Sequence, residues 1–573
     1  MNYLCNPMNF EYKYQFTTFF GKKAVTREGA DPSMILFRGK YYLFFSMGAG
    51  FFVSEDLAHW KYYSLRGVTP IYDYAPDVRV VGDYIYLSAS KDPGINSPFF
   101  RSKNPVEEPF EEVSCTFSFW DPNLFADEDG KVYLYWGCSN KVPMKGVELN
   151  PEDMTPLGEP KELFLNQIDR CGYERSGEDH SLEKKRLIEK MLGDAPNIEG
   201  PWMDKHNGKY YLQYAAPGAQ YNIYLDGVYI SQSPLGPFTL ANNNPYSYKP
   251  GGFIPGAGHG STMCDKYGNW WHMSTLRICM GYMFERRVGM WPAGFDEDGE
   301  LFCNQRFGDW VMPVPQERFD PWMEPEWMLL SAGKSATASS FQKGKEPQKA
   351  TEENVQTWWR AASAGSNEWL KVDLGEVMDV RAVQINFADD YLRSKLPKGE
   401  KRQGNIAMKR FIDNRTHYTQ WILEVSQDDR DYSIFADKSK AKTDLSHDLV
   451  VKEEGVKARY IRLTVKKLPF HQPATVSGLR IFGKCKKAAP KKAEAVKAVR
   501  LNDFDMRVSF KADTAIGCNI LWGHDREKLY HCYTIYGQQE KLIKALVKGQ
   551  NYFVRVDTFG EGGITHGEVV AVR

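Results

Sequence analysis

Four short motifs place an acid or an imidazole beside Gly or Pro: Asp31-Pro32, Asp121-Pro122, Glu199-Gly200-Pro201-Trp202 and Gly258-His259-Gly260. Two carboxylates facing each other across a cleft are the usual minimum for hydrolysing a glycosidic bond. One must be protonated to give its proton to the leaving oxygen, and the other ionised to activate water or attack the sugar. A third carboxylate close to the acid raises its pKa, because like charges disfavour ionisation. Asp31, Asp121 and Glu199 supply such a trio if the fold brings them together. No stretch has the spacing of a phosphate loop, a serine nucleophile elbow or a metalloprotease helix. The competing reading, Asp as a cap of hairpin turns, is strongest at a further candidate, Asp77.

The elements that must position these residues follow a repeat. Five aromatic, alternating runs each begin at a turn glycine, at Gly39, Gly82, Gly130, Gly208 and Gly268, spaced by 43, 48, 78 and 60 residues. A turn flanked by such runs reads as a hairpin, and a period of this size with several strands per unit reads as a propeller blade. Asp31, Asp77, Asp121, Glu199 and His259 lie 5 to 9 residues before their glycines. Equivalent positions of successive blades ring the axis, so Asp31, Asp121, Glu199 and His259 are expected at one end of the channel. The long third interval holds an insertion near 163–197 with a charged, helix-like run over Ser181–Leu192.

Composition narrows the partners. The 573 residues carry 73 Lys+Arg and 73 Asp+Glu, a net charge of zero that argues against nucleic acid or an anionic membrane surface. No apolar run is long enough for a spanning helix. Aromatics make up 14%, which suits β cores and also sugar-stacking clefts. The ten cysteines form no CxxC pair and are too sparse for a disulfide framework. Cys115, Cys138 and Cys279 read as small buried apolar residues. The opening Met1-Asn-Tyr-Leu-Cys-Asn-Pro7 lacks the basic and apolar regions of a leader. The expectation is a secreted or periplasmic protein whose signal is absent from this chain, with a cytosolic one as the alternative.

Taken together, Gly29-Ala-Asp-Pro-Ser-Met34, Ala75-Pro-Asp-Val78, Trp120-Asp-Pro-Asn-Leu-Phe-Ala-Asp-Glu-Asp-Gly130, Ile198-Glu-Gly-Pro-Trp202 and Gly258-His-Gly-Ser261 resemble glycoside hydrolase family 43. Ser54-Glu-Asp-Leu-Ala-His-Trp60 resembles that family's inter-blade loop. The resemblance covers about 20–315 and implies a five-bladed propeller that inverts configuration. It implies Asp31 as general base, Glu199 as general acid and Asp121 as the group that tunes and orients the acid. Arg286 is similar to the family's sugar-binding arginine and would hold Asp121 ionised, with Arg277 and Arg287 as competitors and a structural ion pair with Glu285 as the plain alternative. His259 is similar to an axial histidine near a metal, often calcium, so a structural Ca2+ in the channel is possible, while the chemistry itself requires no cofactor. Trp120, Trp202, Phe51 and Tyr221 are candidate stacking platforms, and each could equally be core.

After the propeller, 1–325, the texture changes. Residues 326–484 read as a β-sandwich that resembles the coagulation factor 5/8 type C, discoidin-like jelly roll through Ala350-Thr-Glu-Glu-Asn354, Thr357-Trp-Trp-Arg360, Trp369-Leu-Lys-Val-Asp-Leu-Gly375, Tyr460-Ile-Arg-Leu463 and Ser477-Gly-Leu-Arg-Ile-Phe482. Its loop 389–419 is long and basic. Residues 485–498 read as a solvated, lysine-rich tether, and 499–573 as a small sandwich resembling fibronectin type III. The fold class is thus all-β. The expected function is an exo-glycosidase with a pocket, walled by the insertion, that releases a pentose such as α-L-arabinofuranose from oligosaccharide or polysaccharide. Alternatives are a β-xylosidase, a galactose-releasing member, or a non-catalytic sugar-binding propeller. The ring looks complete without 485–573, so turnover of small substrates is expected to survive its deletion.

Overall fold

All five turn glycines have positive φ, from 56° to 88°, and each joins the first two strands of an antiparallel sheet. Glycine takes that conformation at no steric cost. In the computed structural model, which describes residues 1–68, 74–91, 94–183, 195–404 and 408–573, the chain is all-β. The helical turns among the described residues are short 3-10 segments, and none of the helices is long and apolar enough to cross a membrane. The helix expected over Ser181–Leu192 falls largely on 184–194, outside the described residues.

Five sheets form the blades, mainly within 30–64, 77–114, 122–164, 198–240 and 258–303; the fourth also takes in Cys138–Ser139, from between the strands of the third, and Ser247–Tyr248. Their first strands, Ala30–Phe37, Asp77–Val81, Pro122–Ala126, Ile198–His206 and Gly258–Cys264, neighbour one another around the axis, and the fifth closes onto the first. The closure is hydrogen-bonded: the Met34 N–H donates to Ser261 Oγ at 3.1 Å.

Three inner strands are bulged where the chemistry-bearing residues sit. Register shifts fall between Ala30 and Ser33, between Glu199 and Trp202, and between Gly258 and Ser261. Asp31, Gly200 and His259 take φ of 51°, 57° and 54° inside these bulges, and Asp121 takes 49° at the start of its strand. A bulge bends the strand and re-aims a side chain. Left-handed backbone is strained for Asp and His, so the blades hold these residues against their local preference and turn them toward the axis. Asp77 differs, starting a regular strand in register with Ser88.

The second module is an eight-stranded sheet whose longest strands, Glu368–Phe387 and His447–Lys467, pair with each other around two register shifts. Trp359, Leu370, Val383, Trp421, Leu463 and Ile481 lie in its core. The third module packs the sheet of Glu494–Arg500, Met506–Lys511 and Glu540–Ile543 on a second sheet centred on Gly517–Gly523 and Phe553–Gly560. Here the tether reading is corrected. Ala493 is buried, Glu494–Arg500 is a strand, and Lys487 pairs with Glu376 and Glu561. Alternating residues let this segment join a sheet despite its charge.

Neither module hangs free. One apolar core contains Met506, Val508, Trp522 and Val554 of the third module together with Ile198 and Tyr214 of the fourth blade. The propeller hairpin Tyr14–Phe19/Lys22–Arg27 continues into the second module's strand Met408–Asp413, pairing Phe19 with Met408 and Tyr14 with Asp413. Beneath that shared sheet, Arg27 is buried against Asp389 and Asp444 at 2.7 Å each.

Candidate active site

Around the axis, the first and fifth blades hold Asp31 in a cage of donors. Its N–H donates to Thr275 Oγ1 at 2.8 Å, and its Oδ2 accepts from Ser46 Oγ at 2.7 Å. Arg286 Nη1 lies 3.1 Å from Oδ1, and His259 Nδ1 lies 3.5 Å away. Burial pushes the Asp31 carboxyl up, but Arg286, then His259 and the hydroxyls, more than reverse this and hold it below the ordinary carboxylate range. Arg286 also binds Glu28 at 2.7 Å, and Gln15 donates to the same Glu28 carboxylate.

Opposite lie Asp121 and Glu199. Asp121 Oδ1 accepts from Ser90 Oγ at 3.0 Å, and Ser90 Oγ in turn accepts from the Asp121 N–H. Burial, with the neighbouring charges of Glu199 and Asp31, pushes Asp121 up to about 7, against the pull of His259. Glu199 accepts from the Tyr224 hydroxyl at 2.6 Å on one oxygen and from the Cys138 thiol at 3.1 Å on the other. Asp121, Cys138 and Glu199 have ligand atoms within 4.8 Å of one another.

His259 stands between the two groups, 4.0 Å from Asp121 Oδ2 as well as near Asp31. Asp226 fixes it by accepting from the N–H groups of His259 and Gly260 at 2.7 and 3.1 Å. Its ring packs over Gly200, where an added Cβ would lie 2.6 Å from the imidazole. Burial disfavours the imidazolium, but Asp31, Asp121, Glu199 and Asp226 outweigh it and raise the pKa. Calcium wants six to eight oxygens. The carboxylate oxygens of Asp31, Glu199 and Asp226 already accept protein hydrogen bonds, so these side chains make a poor calcium shell. The positive charge among them comes from His259 and Arg286.

Several expected site residues sit elsewhere. Arg286 pairs with Asp31 and Glu28 rather than holding Asp121, because its strand faces the first blade. Glu285 lies 3.7 Å from Arg287, and Arg277 binds Glu178. Asp77 turns sideways, accepting from Asn123 Nδ2 at 2.9 Å and the Leu124 N–H at 2.7 Å, and so ties the second blade to the third. Trp202 is buried, its Nε1 donating to Thr262 O and its face covered by Arg79 at 3.5 Å. Phe51 is sandwiched between Phe44 and Tyr63 at 4.9 and 5.7 Å, and Tyr221 is packed in the core of the fourth blade. None of these three rings offers a face to a sugar. Trp120 alone of the four is half-buried, next to Asp121. Cys138 is no plain apolar filler but a donor to Glu199.

Sequence reasoning missed Ser46, Ser90 and Thr275, which hold the carboxylate-bearing strands. A signal was present, since each is a hydroxyl at the far end of a glycine-led repeat run. Tyr224, Glu28 and Asp226 carry no such mark. The insertion packs on the fourth and fifth blades: Glu178 Oε1 accepts from Arg277 Nη1 at 2.9 Å while its Oε2 accepts from the Asn222 N–H at 2.9 Å.

Comparison with known proteins finds relatives at low identity. Residues 23–301 match the model for glycosyl hydrolases family 43, and 335–397 match the F5/8 type C domain. The chain is 23% identical to "Xylosidase/arabinosidase 43A" of Humicola insolens over 48% of this chain and 95% of that protein. It is 26% identical to "Beta-D-galactofuranosidase xynD" of Aspergillus niger over 37% of this chain and 63% of that protein. Among solved structures, the GH43 BlXynB protein from Bacillus licheniformis superposes with a TM-score of 0.41 at 15% identity, covering 99% of this chain and 91% of that one. The propeller of this chain thus carries a match to the glycosyl hydrolases family 43 model over 23–301, and the segment that follows it carries an F5/8 type C match over 335–397.

Proposed function

We propose that the chain is an inverting exo-glycosidase that releases a terminal pentose, α-L-arabinofuranose first among the candidates, from oligosaccharide or polysaccharide side chains. The observation that carries this reading is the electrostatic asymmetry of the ring. Asp31 is held ionised by Arg286 and His259, while Asp121 is pushed up to about 7 beside Glu199. An ionised carboxylate facing a carboxyl that retains its proton toward neutral pH, with Glu199 beside it, is what hydrolysis by acid and base needs. In this reading Asp31 takes the proton of the attacking water. Glu199, positioned by Tyr224 and Cys138, protonates the leaving oxygen, and Asp121 keeps that proton available near neutral pH.

No cofactor enters these steps, and turnover is expected to survive chelator treatment. A binding-only propeller has no need of such opposed carboxyls. The pentose is favoured over galactofuranose by the "Xylosidase/arabinosidase" name of the Humicola relative, and β-xylose is the nearest alternative. With a polymeric substrate, the reading also places the protein outside the cytosol.

The test is release from aryl glycosides of α-L-arabinofuranose, β-D-xylose and β-D-galactofuranose, with proton NMR of the first-formed anomer. Turnover of one sugar with inversion is expected. Turnover of none, or retention, would overturn the reading.

A further inference from the structure

In the shared sheet between propeller and second module, the strand Lys22–Arg27 ends four residues before Asp31. Two branches of side chains run outward from the Asp31–Arg286 pair. In one, Arg286 Cζ lies 5.5 Å from the Phe284 ring, and Phe284 meets Phe19 edge-on at 5.9 Å. Phe19 in turn meets Phe20 at 4.7 Å. In the other, Ser46 Oγ bridges Asp31 and the Ala75 N–H. Next to these, Arg410 of the second module lies 4.1 Å over the Tyr74 ring and 2.5 Å from Met47 Sδ. The hydroxyls of Tyr74 and Tyr282 both point at Met408 Sδ, at 3.1 and 3.2 Å.

Phe20 is the odd member. It is 62% exposed, and it occupies a two-residue hairpin turn with φ of 43°, followed by Gly21 at 79°. Such turns favour Asn-Gly, because both residues need positive φ. A bulky ring there strains the backbone and leaves apolar surface in water. Stability alone does not account for the choice, and strain that the fold tolerates points to use. An exposed ring leading inward to an ion-paired carboxylate suits the apolar face of a sugar, and a half-buried guanidinium stacked on a tyrosine suits its hydroxyls.

We propose that this cross-module rim binds the sugar units beyond the one held at the carboxylates. Phe20 is its outer stacking ring, and Arg410, contributed by the second module, is its hydroxyl-binding cation. The ligand class is a neutral oligosaccharide. The inference rests on the glycosidase reading above and deepens it, because it makes the second module part of the substrate site.

The test uses the full chain with Phe20→Asn and Arg410→Ala, on arabino- and xylo-oligosaccharides of increasing length beside the aryl glycosides. The expected result is a fall of about tenfold in the oligosaccharide-to-aryl ratio of kcat/KM for each variant, carried mainly by KM, the scale of one lost stacking contact or one hydrogen bond to a charged group. Phe20→Asn is also expected to keep or raise Tm, since Asn suits that turn, whereas a merely structural ring would lower it. Wild-type turnover with the ratio unchanged in both variants would overturn the rim alone. No turnover by the wild type on any substrate would bring down the rim and the glycosidase reading together.

Discussion

The two halves of the ring hold the same chemical group in opposite ways. On the side of the first and fifth blades, Asp31 is buried but surrounded by Arg286, His259, Ser46 and Thr275. On the side of the third and fourth, Asp121 is equally buried, yet its charged neighbours include Glu199. Burial raises both carboxyls; the local cation decides which one stays raised. The difference teaches that charge placement, not depth, sets the division of labour in this channel.

The comparison breaks most severely at Asp31. Asp31→Asn is expected to lower kcat by about a thousandfold or more with the circular dichroism spectrum preserved, the range for a lost general base. Substantial residual turnover would remove Asp31 from that role. Glu199→Gln should cost about a hundredfold or more on oligosaccharides with poor leaving groups and much less on activated aryl glycosides, which need little protonation. Equal losses on both would sink the acid assignment.

Arg286→Met strikes the charge balance itself. It leaves Asp31 and Glu28 buried without their cation, so a loss of about 3–5 kcal/mol in urea unfolding is expected. A wild-type denaturation midpoint would mean that His259 suffices. The pH dependence sharpens the same contrast. Asp31, depressed, contributes stability that is present above its ordinary pKa and lost as pH falls through its lowered value. Asp121, raised to about 7, contributes stability that is full below its ordinary pKa and lost as pH rises toward 7. The kcat/KM profile should fall on its alkaline side near pH 7, and in Asp121→Asn that limb should move to lower pH. An unmoved limb would show that Asp121 does not hold the acid's proton in place. The smallest effect belongs to Cys138→Ala, which removes one donor to Glu199. It is expected to shift the alkaline limb upward by a fraction of a unit, read from the same profile.

Deleting 485–573 tests how far the ring depends on its surroundings. The repeat alone suggested a self-sufficient propeller. The third module instead shares a core with the fourth blade, and it grips the insertion through Gly172 N to Leu546 O and Arg175 to Asp505. Loss of soluble, folded protein on deletion is the expected outcome, and a monodisperse, active truncation would overturn it.

Legibility in the sequence followed distance along the chain. The blade count, Asp31 beside Pro32, the Glu199-Gly-Pro motif and His259 were readable, because a glycine-led hairpin repeat is local and its period places equivalent residues around one axis. Arg286 was readable as a residue but not as a partner. Trp202 and Phe51 looked like platforms because an aromatic beside a motif carries no mark of whether its face is covered. Arg79 and Phe44, which cover them, come from other strands or blades.

By itself the sequence determined the all-β class, the five blades and the trio of carboxyls, since turns, alternation and the offset of each acid from its turn glycine are set within a few residues. Only the tertiary structure decided which carboxyl meets a cation, that a cysteine and a tyrosine hold Glu199, and that strand Met408–Asp413 lies beside Tyr14–Phe19 across nearly four hundred residues. Those outcomes depend on close approaches between distant segments, where Coulomb energy and desolvation change steeply over a few ångströms, and no local pattern records them.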